Sequence, residues 1–232
     1  MAAAALIAAG CGGSEPSALP TGDEMVDLDP ARFTAQIDNS YWPMPAGARW
    51  VYRETSEDGG AQRVEVTVTA DTKVVMGIEA RVVHDVVTED GAVVEDTYDW
   101  YAQDADGNVW YLGEDTKEYE DGEVVTTAGS WEAGVDGAQP GVIVPASPEP
   151  GLTYRQEYYA GEAEDAATVL SLDERAQVPA GSFEGLLLTK DFTPLDPKIL
   201  EYKLYAPGVG PVLVLAVSGG TGREELVAYE QP

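Results

Sequence analysis

The sequence predicts an all-β chain: an antiparallel meander curled into a single barrel-like domain, closed or half-open, with at most one short helix. Three observations carry this. Residues 63–69 (RVEVTVT) alternate polar and apolar side chains without a break, the pattern of a strand with one wet face and one buried face. Runs rich in Val, Thr, Tyr and Trp, which suit a pleated, half-buried surface, recur from Arg49 onward. Turn dipeptides separate them: Asp58-Gly59, Asp90-Gly91, Asp106-Gly107, Asp121-Gly122 and Gly219-Gly220. Such pairs supply the positive φ that two-residue hairpin turns require.

In chain order the expected strands are 49–54, 63–69, 72–77, 80–88, 92–103, 108–112, 117–120, 124–127, 153–159, 166–178, 183–192, 199–205, 209–217 and 224–229. Residues 162–170 (EAEDAATVL) are the one stretch that could be helix, with no N-cap beyond Gly161. Residues 129–151 are dense in Gly and Pro and read as an ordered excursion across one end of the sheet. A meander this long must hide its edges, and curling into a barrel does so.

The 232 residues carry 13 Lys+Arg against 42 Asp+Glu, a formal charge of −29. With 44% hydrophobic residues the chain can bury a core, so it is not an acidic disordered tail. Its charge argues against nucleic acid as a partner, because phosphate affinity comes from Lys and Arg. It also disfavours docking on anionic lipid headgroups. One Cys excludes an internal disulfide, and one His excludes most His-based catalytic and metal sites.

Residues 1–10 (MAAAALIAAG) form a short apolar run of small residues directly before Cys11. This resembles the end of a bacterial lipoprotein signal peptide, in which the Cys is lipidated and heads the mature chain. The pattern departs from the usual one at Ala8, where Leu, Val or Ile is customary, and lacks a basic n-region. The run is too short to span a bilayer as a helix, which takes about 20 apolar residues. The expected layout is a signal remnant at 1–10, a disordered acidic tether at 11–29 after the lipidated Cys11, and one β domain at 30–232. The protein is accordingly expected to be exported and held at the cell envelope, with the membrane as a partner through Cys11.

Several strings also resemble a group of bacterial secreted or lipid-anchored β proteins that carry no assigned function. They are Tyr41-Trp42-Pro43 with residues 47–52 (GARWVY), 95–122 (EDTYDWYAQDADGNVWYLGEDTKEYEDG), 130–141 (SWEAGVDGAQPG), 154–165 (YRQEYYAGEAED) and 205–212 (YAPGVGPV). The resemblance implies export and a β fold, and brings no catalytic residues.

Candidate sites follow from side-chain chemistry. Asp104, Asp106 and Asn108 place oxygen ligands at alternate positions, as a calcium loop begins, and Asp115 falls at the twelfth position. Val109 stands where that loop needs Gly, so the plainer reading is a hairpin turn with hydrated acids. Between Asp85 and Glu123 lie 14 Asp+Glu and one basic residue, Lys117. They could form a cation-collecting or partner-steering face, or could simply keep an exported protein soluble. Tyr98, Trp100, Trp110 and Tyr111 could line a ligand pocket in a barrel mouth, or serve as core and cross-strand pairs. His84, alone in a strand, reads as a structural hydrogen-bonder. No Gly-x-Ser-x-Gly, Cys-x-x-Cys, His-Glu-x-x-His or P-loop pattern occurs.

The expected function is a non-enzymatic envelope β domain that binds a small ligand or a partner protein and needs no cofactor. One alternative is a calcium-binding surface module built on the acidic hairpins. Another is a hydrolase using paired carboxylates, which requires a cleft holding two acids, at least one with a raised pKa.

Overall fold

The computed structural model describes residues 18–55, 60–218 and 222–232. Sixteen strands are present among them. In chain order they are β1 (Phe33–Thr34), β2 (Arg49–Thr55), β3 (Ala61–Val75), β4 (Ile78–Glu89), β5 (Ala92–Asp104), β6 (Val109–Glu120), β7 (Glu123–Thr126), β8 (Trp131–Glu132), β9 (Gln139–Val144), β10 (Thr153–Arg155), β11 (Glu157–Tyr158), β12 (Ala166–Val178), β13 (Gly181–Phe192), β14 (Leu200–Ala206), β15 (Gly210–Ser218) and β16 (Arg223–Glu230). The expected all-β architecture is what forms. The expected runs 63–69 and 72–77 are one long strand, β3, and 108–112 and 117–120 are one strand, β6. Residues 162–170 are not helical: the chain turns and enters β12 at Ala166. A single 3-10 turn, Pro30–Arg32, is capped by Asp29, whose carboxylate accepts from the Ala31 N–H.

Hydrogen bonding runs antiparallel in the order β10-β12-β13-β14-β15-β16-β2-β3-β4-β5-β6-β9-β11. Two of the hairpin turns follow the expected chemistry, while in Asp106-Gly107 only Gly107 has a positive φ, 96°. Asp90 and Gly91 have φ of 50° and 85°, and Asp121 and Gly122 have 52° and 82°, the left-handed pair that matches strand twist. Asp58-Gly59 and Gly219-Gly220 lie outside the described residues.

The chain itself brings the two ends of this path together. β10 and β11 are separated only by Gln156, and one pairs with β12 while the other pairs with β9. The two strands therefore join the first and last members of the sheet into a nearly closed barrel. The seam is tight at Gly141 of β9. A Cβ built there would lie 2.3 Å from the carbonyl carbon and oxygen of Gln156, so only Gly lets the backbones approach this closely. The excursion at 129–151 thus supplies a structural stave, β9, which pairs with β6 on one side and β11 on the other.

Opposite arrangements hold between β15 and β16. Among the described residues these strands pair at three positions, Leu213–Glu225, Val214–Glu224 and Leu215–Arg223. Beyond them the turn between β12 and β13 intrudes, and the Ala180 N–H donates to the Leu226 carbonyl at 3.0 Å.

Residues 18–29 carry no regular element, yet they are not free of the domain as the tether reading expected. Leu19, Val26 and Leu28 pack against the core. Arg155, 2% exposed, straps the segment to the seam. Its guanidinium donates to the carbonyls of Gly22, Glu24 (2.8 Å) and Pro140 (2.8 Å), and its backbone N–H donates to Pro20 at 2.7 Å. Removing the guanidinium takes the donor from the Gly22, Glu24 and Pro140 carbonyls, so Arg155→Met is expected to lose about 3 kcal/mol of stability. It is also expected to release the strap. A glutamate-specific protease should then cut at Glu24 in the variant well before it cuts the wild type.

Candidate functional site

The side chains on the inner faces of β2–β5, β14 and β16 surround a lumen. Its inner part is a cavity of about 230 Å³ whose walls include Tyr52, Val66, Val83, Asp85, Asp99, Tyr101, Lys203, Tyr205 and Glu224. An outer cavity of about 530 Å³ is lined by Glu54, Gln62, Val87, Glu95, Glu118, Tyr119, Glu120 and others. The two share Val64, Asp85 and Glu224 in their walls, so they adjoin there. Period-2 geometry places the acids there. Val83, Asp85 and Val87 alternate along one face of β4, and Asp99 and Tyr101 present the same face of β5.

Trp42 forms part of the wall of the inner cavity. Its ring lies 5.7 Å from Tyr101 and 6.0 Å from Tyr205, centroid to centroid. The indole fits because residue 210 is Gly at φ 110°, where a Cβ would stand 2.6 Å from Trp42 Cδ1. Trp50 Nε1 donates to the Val209 carbonyl at 2.8 Å and the Tyr52 hydroxyl to Pro211 at 3.1 Å, which fixes β2 against the β14–β15 turn.

The electrostatics are one-sided. Burial pushes the Asp99 carboxyl up to about 7, with Glu114 nearby adding to the shift against a 2.7 Å hydrogen bond from the Tyr111 hydroxyl. Burial, with Glu54 close by, pushes Glu224 to about 7. Asp85 is raised by burial and then by Asp99, and its Oδ1 is buried without a hydrogen-bond partner. Lys203 is the cation of the inner cavity among the described residues. It faces Asp191 at 3.3 Å and Glu201 at 3.8 Å. Burial alone would lower its pKa, but Asp191 and its neighbours hold it above the ordinary value. Gln156, at the seam, donates to the same oxygen that faces Lys203, Asp191 Oδ2, at 3.2 Å, while the Thr189 hydroxyl donates to Oδ1 at 2.6 Å. Beyond the lumen, Glu157 is pushed to about 8 by burial, with Asp165 and Glu114 adding, while Trp131 Nε1 donates to it at 2.9 Å.

The expected calcium ligands are not gathered into a site. Asp104 organises the turn: Oδ1 accepts from the Asp106 and Asn108 N–H groups, and Oδ2 from Asn108 Nδ2 and Trp110 Nε1, all at 2.8–2.9 Å. Asp106 pairs with Arg32 at 3.0 Å, the Asn108 side-chain oxygen accepts from Ala146, and Asp115, further along β6, pairs with Lys117 at 3.0 Å. No group of three or more potential ligands converges on a metal position among the described residues. The hairpin turn accounts for Asp104, Asp106 and Asn108, and the ion pair with Lys117 on β6 for Asp115.

Nor do the expected ligand-binding aromatics line the lumen. Tyr98 faces outward, stacked on His84 at 4.3 Å, and His84 Nε2 sits 3.0 Å from Asp96. Trp100 is buried beneath the Lys73 ammonium, 3.1 Å from its ring centroid. Trp110 meets Phe33 edge-on at 6.1 Å and flanks a groove under the strap. Tyr111 stacks on Tyr101 at 4.9 Å and reaches the lumen only through its bond to Asp99. The aromatic residues that do line it are Trp42, Tyr52, Tyr101 and Tyr205 in the inner cavity and Tyr119 in the outer one. Cys11 lies outside the described residues. Among the described residues no helix is long and apolar enough to cross a membrane.

No family model matches the chain, and no curated protein sequence matches it. Three solved structures are similar. One is a provisionally assigned lipoprotein from Parabacteroides distasonis ATCC 8503, 12% identical, covering 83% of this chain and 99% of its own, with a TM-score of 0.46. Another is a provisionally assigned exported protein with a YmcC-like fold from Bacteroides fragilis NCTC 9343, 14% identical, covering 83% and 100%, with a TM-score of 0.46. A third is a β-barrel-like protein of a domain of unknown function, DUF1849, from Brucella abortus, 14% identical, covering 81% and 98%, with a TM-score of 0.42. The functional reading rests on the chain's own residues.

Proposed function

We propose that this chain is an exported β-barrel, anchored to the envelope through a lipid on Cys11, that holds a small ligand in its lumen without transforming it. The observation that supports binding is the pair of cavities, about 530 and 230 Å³, that adjoin at Val64, Asp85 and Glu224 and together suit a small molecule. The lumen also meets the condition set for a carboxylate hydrolase, since it holds several acids with raised pKa. Acid–base catalysis, however, needs two groups driven apart, one kept protonated and one kept ionised. Here burial drives Asp85, Asp99 and Glu224 in the same direction, which favours binding. The apolar run ending at Cys11 supports the anchor.

The test uses the full chain expressed in a bacterium that processes lipoproteins. Native mass spectrometry of the membrane-extracted protein is expected to show a retained small molecule, lost when Val66→Trp fills the lumen with the fold intact by circular dichroism. Cys11→Ala is expected to move the protein out of the membrane fraction. No retained mass, together with no binding across cationic, anionic, neutral and apolar probes, would overturn the binding reading. Continued pelleting of Cys11→Ala would overturn the anchor.

A further inference from the structure

The lumen's charge pattern narrows the ligand, on the reading that the lumen binds one. The outer cavity presents six carboxylates, Glu54, Asp85, Glu95, Glu118, Glu120 and Glu224, and no Lys or Arg among the described residues. In the inner cavity Lys203 is already engaged by Asp191 and Glu201. Asp85 Oδ1 is buried there with no donor. An orphaned buried acceptor costs free energy that a donor from a ligand would recover.

These acids are strung out rather than clustered. Glu95 and Asp99 are four residues apart on β5, which is about 13 Å along the strand. Glu118 stands opposite Glu95, and Glu120 lies two residues further along β6, about 7 Å towards the opening. A lone metal ion needs several oxygens around one point, and none of the described residues makes such a group. Negative charge spaced along a lumen fits positive charge spaced along a chain. Between the acids the walls are Val64, Val66, Val83 and Val87, which suit methylene groups. The inner cavity is also lined by the rings of Tyr52, Tyr101 and Tyr205, a residue type whose face attracts ammonium groups.

We propose that the lumen binds a linear aliphatic polyamine, its terminal ammonium against Asp85 and Asp99 and its further amines against the carboxylates leading out to Glu118 and Glu120. An ammonium there displaces the protons that burial and neighbouring acids hold on Asp85 and Asp99, and supplies the donor that Asp85 Oδ1 lacks.

The test is isothermal titration of the full chain with spermidine, calcium chloride, maltose and dodecanoate at moderate salt, since a protein of this charge attracts any polycation weakly. Spermidine is expected to bind one-to-one. Its affinity should fall about tenfold in Glu95→Gln/Glu118→Gln, where two charge-assisted contacts are lost. It should be unchanged in Asp173→Asn/Glu184→Gln, which removes the same charge from the exposed surface of β12 and β13. Asp85→Asn is expected to weaken spermidine and raise Tm together, which separates loss of a contact from loss of the fold. An equal loss in the two double variants, or calcium binding alone, would overturn the proposal. Binding of maltose or dodecanoate without spermidine would overturn it while leaving the lumen as a binding site. Binding of none of the four, with no retained mass in the native protein, would remove both.

Discussion

Gly141→Ala is expected to open the barrel. The atoms a Cβ would meet are the Gln156 carbonyl carbon and oxygen at 2.3 Å and the Arg155 oxygen at 2.6 Å, all of them backbone. A side chain could swing aside, but this backbone joins β10 to β11 and is held on both flanks by β-pairing. The seam must therefore part. The expected cost is at least about 3 kcal/mol, or a fall of roughly 10 °C in Tm for a chain of this length. Gly222→Ala is the matched control, because its Cβ would make only ordinary contacts, 3.7 Å from the Thr55 oxygen and 3.9 Å from Ala216. It should stay within about 0.5 kcal/mol of the wild type. Thermal denaturation of both variants decides the point, and a Gly141→Ala midpoint matching the control would show that the barrel does not depend on this contact.

The second large effect is on acid stability. Asp99 and Glu224 at about 7 and Glu157 at about 8 all lie above the ordinary carboxylate range because the folded chain buries them. In the unfolded chain the same groups lose their protons near pH 4. Between roughly pH 4 and pH 8 the native state thus binds more protons than the unfolded state, so stability falls as pH rises through this window. The opposite class is small. Glu65 is held at about 2 by Arg49, and Glu24 and Glu225 are lowered by hydrogen bonds from Thr21 and from Arg223. What these three contribute is lost only below about pH 4. Tm is therefore expected to be about 10 °C higher at pH 5 than at pH 8, from a difference of at least about 3 kcal/mol. Asp99→Asn/Glu224→Gln should flatten the profile by removing two of the three groups. A wild-type Tm that rises towards pH 8 would contradict the burial of these carboxylates.

Much of the sheet was legible because its strands have one apolar face and its turns use Asp-Gly. The runs at 166–178 and 92–103 correspond to β12 and β5 almost residue for residue. β9 was not legible: Pro140-Gly141 reads as a loop, and only the closing of the ring shows why a glycine belongs there. The strap was hidden for a similar reason. Leu19, Val26 and Leu28 are too few to signal burial by themselves, and the partner that holds them in place, Arg155, is more than a hundred residues away.

The lumen was obscured by ambiguity of phase. In Val82-Val83-His84-Asp85-Val86-Val87 both faces of β4 carry valines, so alternation alone does not say whether Asp85 or His84 points inward. The structure resolves it: His84 stacks outside on Tyr98, and Asp85 enters the barrel. The acidic stretch expected as an outer face is therefore split between the two sides of the wall. The same ambiguity covers the aromatics, because Tyr98 and Trp100 alternate with Asp99 and Tyr101, and it is the second pair that lines the lumen.

The wedge at Ala180 also bears on solubility. With β15 and β16 paired at three positions, the turn between β12 and β13 covers backbone that would otherwise stand bare. Should that turn lift away, two strand margins with unpaired amides and carbonyls would face outward, and such margins are templates for another chain. Under stress, neighbouring molecules would be most prone to knit together at this crack, even though each carries a repulsive surplus of acids.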